Sequence, residues 1–189
     1  MHVLGIMGSP RRRSNTELLL DAALRGASEC GATTRKVLIC EADIRPCMEY
    51  YQCAVDGTCS IMDDMTHLYD SVVSADVIIL SSPVFFYGLT SQAKALVDRC
   101  QALWARRYML KTWHPDTELR RGALIAVGAT KGVRLFDGVL LTAKYFFDAV
   151  GVRFAEHLLV RGMEDKAQVE GFPEYIDDAA ELGRRLVLR

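Results

Sequence analysis

The sequence predicts an α/β fold in which one parallel sheet is covered by helices on both faces. Short apolar runs alternate with helical patterns from one end of the chain to the other. Those runs are continuous rather than alternating, as in strands buried on both faces. The chain has 189 residues, 50% of them apolar and 25% charged, which suits one ordinary domain with a sizeable core.

The strands are expected at residues 2–7 (HVLGIM), 36–40 (KVLIC), 76–82 (DVIILSS) and 123–129 (ALIAVGA), with a less regular fifth at 152–160 (VRFAEHLLV). A first helix spans 16–29, opened by the capping-type pair Ser14 and Asn15 and stopped at Gly31. A second spans 64–74 behind Asp63 as N-cap. In 91–107, Ala93, Leu96, Val97, Cys100, Leu103 and Trp104 recur at helical spacing, which reads as one long helix. Val139, Ala143, Phe146, Phe147 and Val150 mark a fourth before Gly151. The last follows Pro173 with Tyr175, Ala179, Leu182 and Leu186 on one face. Right-handed crossovers then favour the flavodoxin-like strand order 2-1-3-4-5, with ligands bound outside the carboxyl ends of strands one and three. No linker or repeat interrupts 1–189, so a single domain is expected.

The net charge of -1 supplies no basic field for nucleic acid or anionic membrane. No apolar run approaches the ~20 residues of a membrane helix, and the N-terminus enters a strand directly, so the cytoplasm is the expected location. There the six cysteines would be thiols or ligands rather than disulfides. Cys40 and Cys100 suit buried core positions, and Cys30 sits at a helix end.

Two loops converge at the expected ligand end. The first, GSPRRRSNT (8–16), runs into a helix N-terminus whose free N–H groups suit a phosphate. Ser9, Ser14, Asn15 and Thr16 offer hydrogen bonds and Arg11 a charge-assisted one. The same residues also suit a plain helix cap beside a solvated arginine run. The spacing matches neither the P-loop nor the dinucleotide fingerprint. The second loop, SSPVFFYGLTSQAKA (81–95), places Val84, Phe85, Phe86 and Tyr87 where a surface loop should be. A core or subunit contact would account for any one of these aromatics. A phosphate cradle beside an apolar aromatic loop suits a flat phosphorylated ligand such as FMN.

MHVLGIMGSPRRRSNTELLL, SSPVFFYGLTSQAKALVDR and CSIMDDM resemble the NADPH-dependent FMN reductase family, in the branch shared with iron-sulfur flavoproteins. The resemblance covers residues 1–160 and implies one FMN-binding flavodoxin-like domain. It places Ser9, Arg11, Ser14, Asn15 and Thr16 on the phosphate, and Pro83, Val84, Phe85, Phe86 and Gly88 against the isoalloxazine. Ala129, Thr130 and Lys131 of GATKG would meet the ring's other edge. It also implies NAD(P)H as co-substrate, a homodimer or homotetramer, and a small acceptor such as a quinone, free flavin or metal ion.

Iron-sulfur flavoproteins of that branch carry C-x2-C-x2-C-x5-C. Here CMEYYQCAVDGTC (47–59) supplies Cys47, Cys53 and Cys59, with Tyr50 in the second place. A four-iron cluster takes four thiolates, and phenolate is a harder donor. The expectation is a loop that keeps the outline of a cluster site without the cluster. Zinc is disfavoured too, because no histidine lies closer than His67.

No catalytic acid, base or nucleophile is expected. Asp63 and Asp64 suit a cap and a first-turn charge, and His2, His67, His114 and His157 lack ligand spacing. Ser9 lacks the nucleophile-elbow pattern. Residues 106–121 suit either a lid or a surface connection. The leading expectation is hydride transfer from NAD(P)H to FMN N5 and on to the acceptor. An iron-sulfur electron carrier and a non-enzymatic cysteine redox sensor are the alternatives.

Overall fold

The computed structural model describes residues 1–188. Five parallel strands form one sheet in the order β2-β1-β3-β4-β5: β1 (His2–Met7), β2 (Thr33–Leu38), β3 (Val77–Pro83), β4 (Arg121–Gly128) and β5 (Arg153–Arg161). The expected fold class and strand order are those observed. β1, β3 and β4 are buried almost throughout, whereas the edge strands β2 and β5 expose alternate residues. That alternation explains why the fifth strand reads less regularly in sequence.

Helices α1 (Asn15–Glu29) and α7 (Pro173–Leu188) share one face with the core of Val3, Met7, Ile79 and Ile125. They touch through backbone: a β-carbon at Gly183 would fall 1.9 Å from Ala23 O, so glycine sets their separation. The other face carries α2 (Gln52–Asp56), α3 (Met65–Ser74), α4 (Ser91–Arg99), α5 (Gln101–Trp104) and α6 (Asp137–Ala149). Its core includes Leu4, Ile78, Leu80, Leu124 and Phe146.

Several expectations are corrected. The second strand begins at Thr33 and ends at Leu38, and Cys40 lies in the 3₁₀ turn Ile39–Glu41 that follows. The helix expected over 91–107 breaks at Cys100. Tyr69 Oη donates to Arg99 O at 2.8 Å, and Leu103 N–H bonds Cys100 O at 2.9 Å, one residue short of the regular ladder. A hydroxyl inserted into the ladder is the cause. The helix then closes in a π turn, Ala105–Met109, with Leu110 N–H on Ala105 O.

Asp63 is more than a cap. Its Oδ1 accepts from Met65 N–H, but the carboxylate is fully buried and takes two bonds from Arg99, at 2.6 and 3.1 Å. Residues 106–121 run into the amino end of β4 at Arg121. Arg120 is buried there, donating to Val72 O, Ala75 O and Val150 O at 2.6–3.0 Å, and so caps the carboxyl ends of α3 and α6.

Candidate functional site

The carboxyl ends of β1 and β3 lie side by side, with Met7 opposite Ser81. The loops leaving them are bound to each other. Gly8 N–H donates to Ser81 O at 2.7 Å, and Thr90 Oγ1 donates to Gly8 O at 2.6 Å while capping α4 at Ala93 N–H. A β-carbon at Gly8 would sit 2.9 Å from Ser81 O and 3.0 Å from Ala93 Cβ, so this approach requires glycine. Ser81 Oγ donates to Thr16 O at 2.9 Å and fixes the first turn of α1 against β3.

That turn is capped from both directions. Ser14 Oγ accepts from Glu17 N–H at 3.2 Å, and Glu17 Oε2 reaches back to Arg13 N–H at 2.6 Å, in the manner of a capping box. Burial pushes the Glu17 carboxyl up, but Lys36 at 3.0 Å, Arg13 N–H and Arg12 outweigh it and hold the group below the usual carboxylate range. The three arginines then separate. Arg12 pairs with Glu41 at 3.0 Å and Arg13 with Glu170 at 2.9 Å. The Arg11 guanidinium makes no ion pair or hydrogen bond among the described residues.

The loop opens on a cleft of about 220 Å³ lined by Ser9, Arg11, Ser14, Asn15, Thr16, Pro83, Val84, Phe85 and Ala129, together with residues sequence reasoning missed. One side is polar, with the Ser14 and Thr16 hydroxyls 3.1 Å apart and Ser9 Oγ accepting from Arg11 N–H. The other side, formed by Pro83, Val84, Phe85, Val127 and Met163, is apolar. Asn15 lies in the wall with its amide engaged, donating to Asp165 O at 2.9 Å and accepting from Val169 N–H at 3.0 Å. It pins the segment after β5 against α1. The missed residues are Pro10, Val127, Met163, Glu164, Asp165 and Lys166. Four of them follow β5, and the signal was topological: every loop at the carboxyl end of such a sheet faces the same crevice.

Phe86, Gly88, Thr130 and Lys131 stand outside the cleft wall. Phe85 and Gly88 exchange two backbone hydrogen bonds, at 3.0 and 2.9 Å, around a two-residue turn with φ of 48° at Phe86 and 63° at Tyr87. This is the left-handed pattern normally given to Asn-Gly. It turns Phe86 into solvent, 105% exposed, and sets Tyr87 O against α6 where a β-carbon at Gly138 would lie 2.3 Å away.

The cysteine loop lines a different cavity, of about 600 Å³, where Cys47, Cys53 and Cys59 meet Met48, Tyr50, Tyr51, Trp104 and Met109. The three thiols are half-buried and free. Burial pushes the Cys53 thiol up, and neighbouring Cys59 and Cys47 add to the effect. Among the described residues no three His, Cys, Asp or Glu side chains stand close enough to hold a metal ion.

The two implied groups therefore fare differently. A capped helix N-terminus, an uncommitted arginine and a facing apolar wall fit the phosphate and ring of FMN. Three thiols and a phenol do not make the four-thiolate set of a four-iron cluster.

The comparisons with known proteins bear on both the cleft and the cysteine loop. The chain is 36% identical over 133 residues to an iron-sulfur flavoprotein of Methanocaldococcus jannaschii, covering 69% of this chain and 64% of that one. It is 35% identical over 131 residues to an iron-sulfur flavoprotein of Methanosarcina thermophila, covering 69% and 65%. The chain thus spans a little under two thirds of these relatives. Among solved structures, an NAD(P)H:quinone oxidoreductase from Methanothermobacter marburgensis superposes with a TM-score of 0.74 at 18% identity, over 100% of this chain and 97% of the other, which shows the shared fold. No helix is long and apolar enough to cross a membrane. The family model of NADPH-dependent FMN reductases matches residues 1–152, four-fifths of the length and both loops of the cleft, and the chain belongs to that family.

Proposed function

We propose that this chain is an FMN-dependent NAD(P)H oxidoreductase of the quinone or flavin reductase type, its cofactor bound at the carboxyl ends of β1 and β3 as part of one domain over 1–189. Bound FMN would supply the redox chemistry, taking hydride from NAD(P)H at N5 and passing electrons to a small acceptor. The protein's part is position and polarity. Ser9, Ser14, Thr16 and the first N–H groups of α1 face the phosphate, Arg11 neutralises it, and Asn15 fixes the opposite wall through Asp165 and Val169. Pro83, Val84, Phe85 and Ala129 would offer the ring an apolar wall. Phe86, Gly88, Thr130 and Lys131 act as neighbours of that wall rather than part of it. No side chain is assigned a proton-transfer role.

The observation that carries this reading is Arg11. Of three consecutive arginines it alone has no carboxylate partner among the described residues, and it lines the cleft beside a helix N-terminus. A homodimer or homotetramer fits the fully exposed Phe86 and the 89% exposed Val133 near the cleft, apolar surface that a second copy would cover. The test is anaerobic mixing of the FMN-loaded protein with NADPH or NADH in a stopped-flow spectrometer. Rapid bleaching of the visible flavin bands, reversed by a quinone, supports the reading. Bands that persist with both nucleotides would overturn it.

A further inference from the structure

Arg99 is the key to the cysteine loop. Its side chain is fully buried and gathers both ends of the segment that carries the thiols. One end is held through Arg45 O at 2.9 Å, the other through Ile61 O at 3.0 Å and the two bonds to Asp63. Asp63 Oδ2 also accepts from Arg45 N–H at 3.0 Å, so the two ends are joined directly as well. Midway, Arg106 donates to Gly57 O at 2.6 Å, and Asp56 Oδ1 accepts from Thr58 N–H at 2.8 Å. The backbone between these anchors includes two strained residues, Glu49 at φ 52° and Tyr51 at φ 58°. Such conformations persist where the surroundings over-determine them. Here the anchors at Arg45, Gly57, Ile61 and Asp63 bracket that stretch.

We propose that the cysteine loop of this chain is a preorganised, metal-free thiol pocket whose shape is set by the Arg99–Asp63 clamp, and that Tyr50 is the one ligand place separating it from a cluster site. Its named relatives are iron-sulfur flavoproteins, yet the donors here are three thiols and the phenol of Tyr50, a residue 66% exposed in the cavity lining. A hard phenolate does not replace a thiolate on a four-iron cluster. Among the described residues no histidine or carboxylate completes the thiols as a metal-binding group. The aromatic and methionine lining leaves a largely apolar chamber around the thiols.

Two measurements test this independently of the proposed flavin chemistry. In the first, wild type, Tyr50→Cys and Cys53→Ser are incubated anaerobically with ferrous iron, sulfide and a thiol reductant, desalted, and assayed for iron, acid-labile sulfide and the electron paramagnetic signal of the reduced protein. Wild type is expected to retain no more iron and sulfide than Cys53→Ser, while Tyr50→Cys acquires a cluster. Wild type holding a cluster overturns the proposal. A Tyr50→Cys protein with unchanged circular dichroism and no cluster overturns the role of Tyr50. In the second, amide exchange is followed in the metal-free wild type. The Arg45 and Gly57 amides are expected to be protected, and Arg45 to lose protection in Asp63→Asn. Unprotected amides in the metal-free wild type would show a loop that lacks the clamp.

Discussion

Arg11 and Arg12 are adjacent, equally charged and close to the same helix N-terminus, so substituting each by alanine separates the assigned phosphate site from a diffuse basic loop. Arg12 is already paired with Glu41 at 3.0 Å, with both side chains about 60% exposed (59% and 61%). Such a surface pair contributes about 0–1 kcal/mol to stability, and its loss leaves the cleft wall intact. Arg11 lines the cleft with no ion pair among the described residues. A hydrogen bond to a charged group contributes about 1.5–3 kcal/mol, and the exposure of Arg11 places it near the lower value. Since about 1.4 kcal/mol is a factor of ten, Arg11→Ala should weaken FMN binding about tenfold and Arg12→Ala by no more than about twofold. The assay is titration of apoprotein with FMN, followed by quenching of flavin fluorescence at two ionic strengths. The Arg11 contribution should shrink at the higher salt. Equal losses for the two variants, or no loss for Arg11→Ala, would refute the assignment.

Three other outcomes are expected. Burial pushes the Asp63 carboxyl up, but the Arg99 bonds and Arg45 N–H outweigh it, so the folded pKa lies below the ordinary value. A depressed carboxyl stabilises above its unfolded pKa of about 3.9 and loses that contribution as pH falls through the folded one, so urea midpoints should fall more steeply below about pH 4 in wild type than in the Asp63→Asn/Arg99→Met double variant. Arg99→Met alone should cost about 3–5 kcal/mol in urea unfolding, because Asp63 is left buried without its partner. Gly8→Ala should cost about 1–3 kcal/mol and weaken FMN, because the new β-carbon meets the backbone oxygen of Ser81 rather than a movable side chain.

The strand order and both cleft loops were legible because they depend on local signals: continuous apolar runs, a serine cap, and a proline followed by aromatics. Nine of the thirteen expected cofactor residues line the cleft, namely those beside the cap, the proline and Ala129. The other four stand outside its wall, through geometry that sequence does not print. Phe86 lies in a left-handed turn that points it outward, where a regular extended loop would have turned it along the ring. Met163 to Lys166 carry no motif, and they are held in the wall by contacts distant in sequence, Asn15 on Asp165 O and Met163 N–H on Gly128 O among them. The Tyr69 hydroxyl that breaks the 91–107 helix comes from 30 positions upstream of Arg99, beyond any periodicity argument. Asp63 reads as a cap because its partner, Arg99, sits on another helix. The Ser14–Glu17 capping box was present in the sequence and readable as such.

The central claim is that FMN sits in the cleft between the first and third strands. It is tested most directly by recording the absorption spectrum of the anaerobically purified protein, then releasing and identifying the chromophore. The account predicts a two-banded flavin spectrum without broad iron-sulfur absorption, and release of FMN. A colourless protein that also fails to take up added FMN would contradict it.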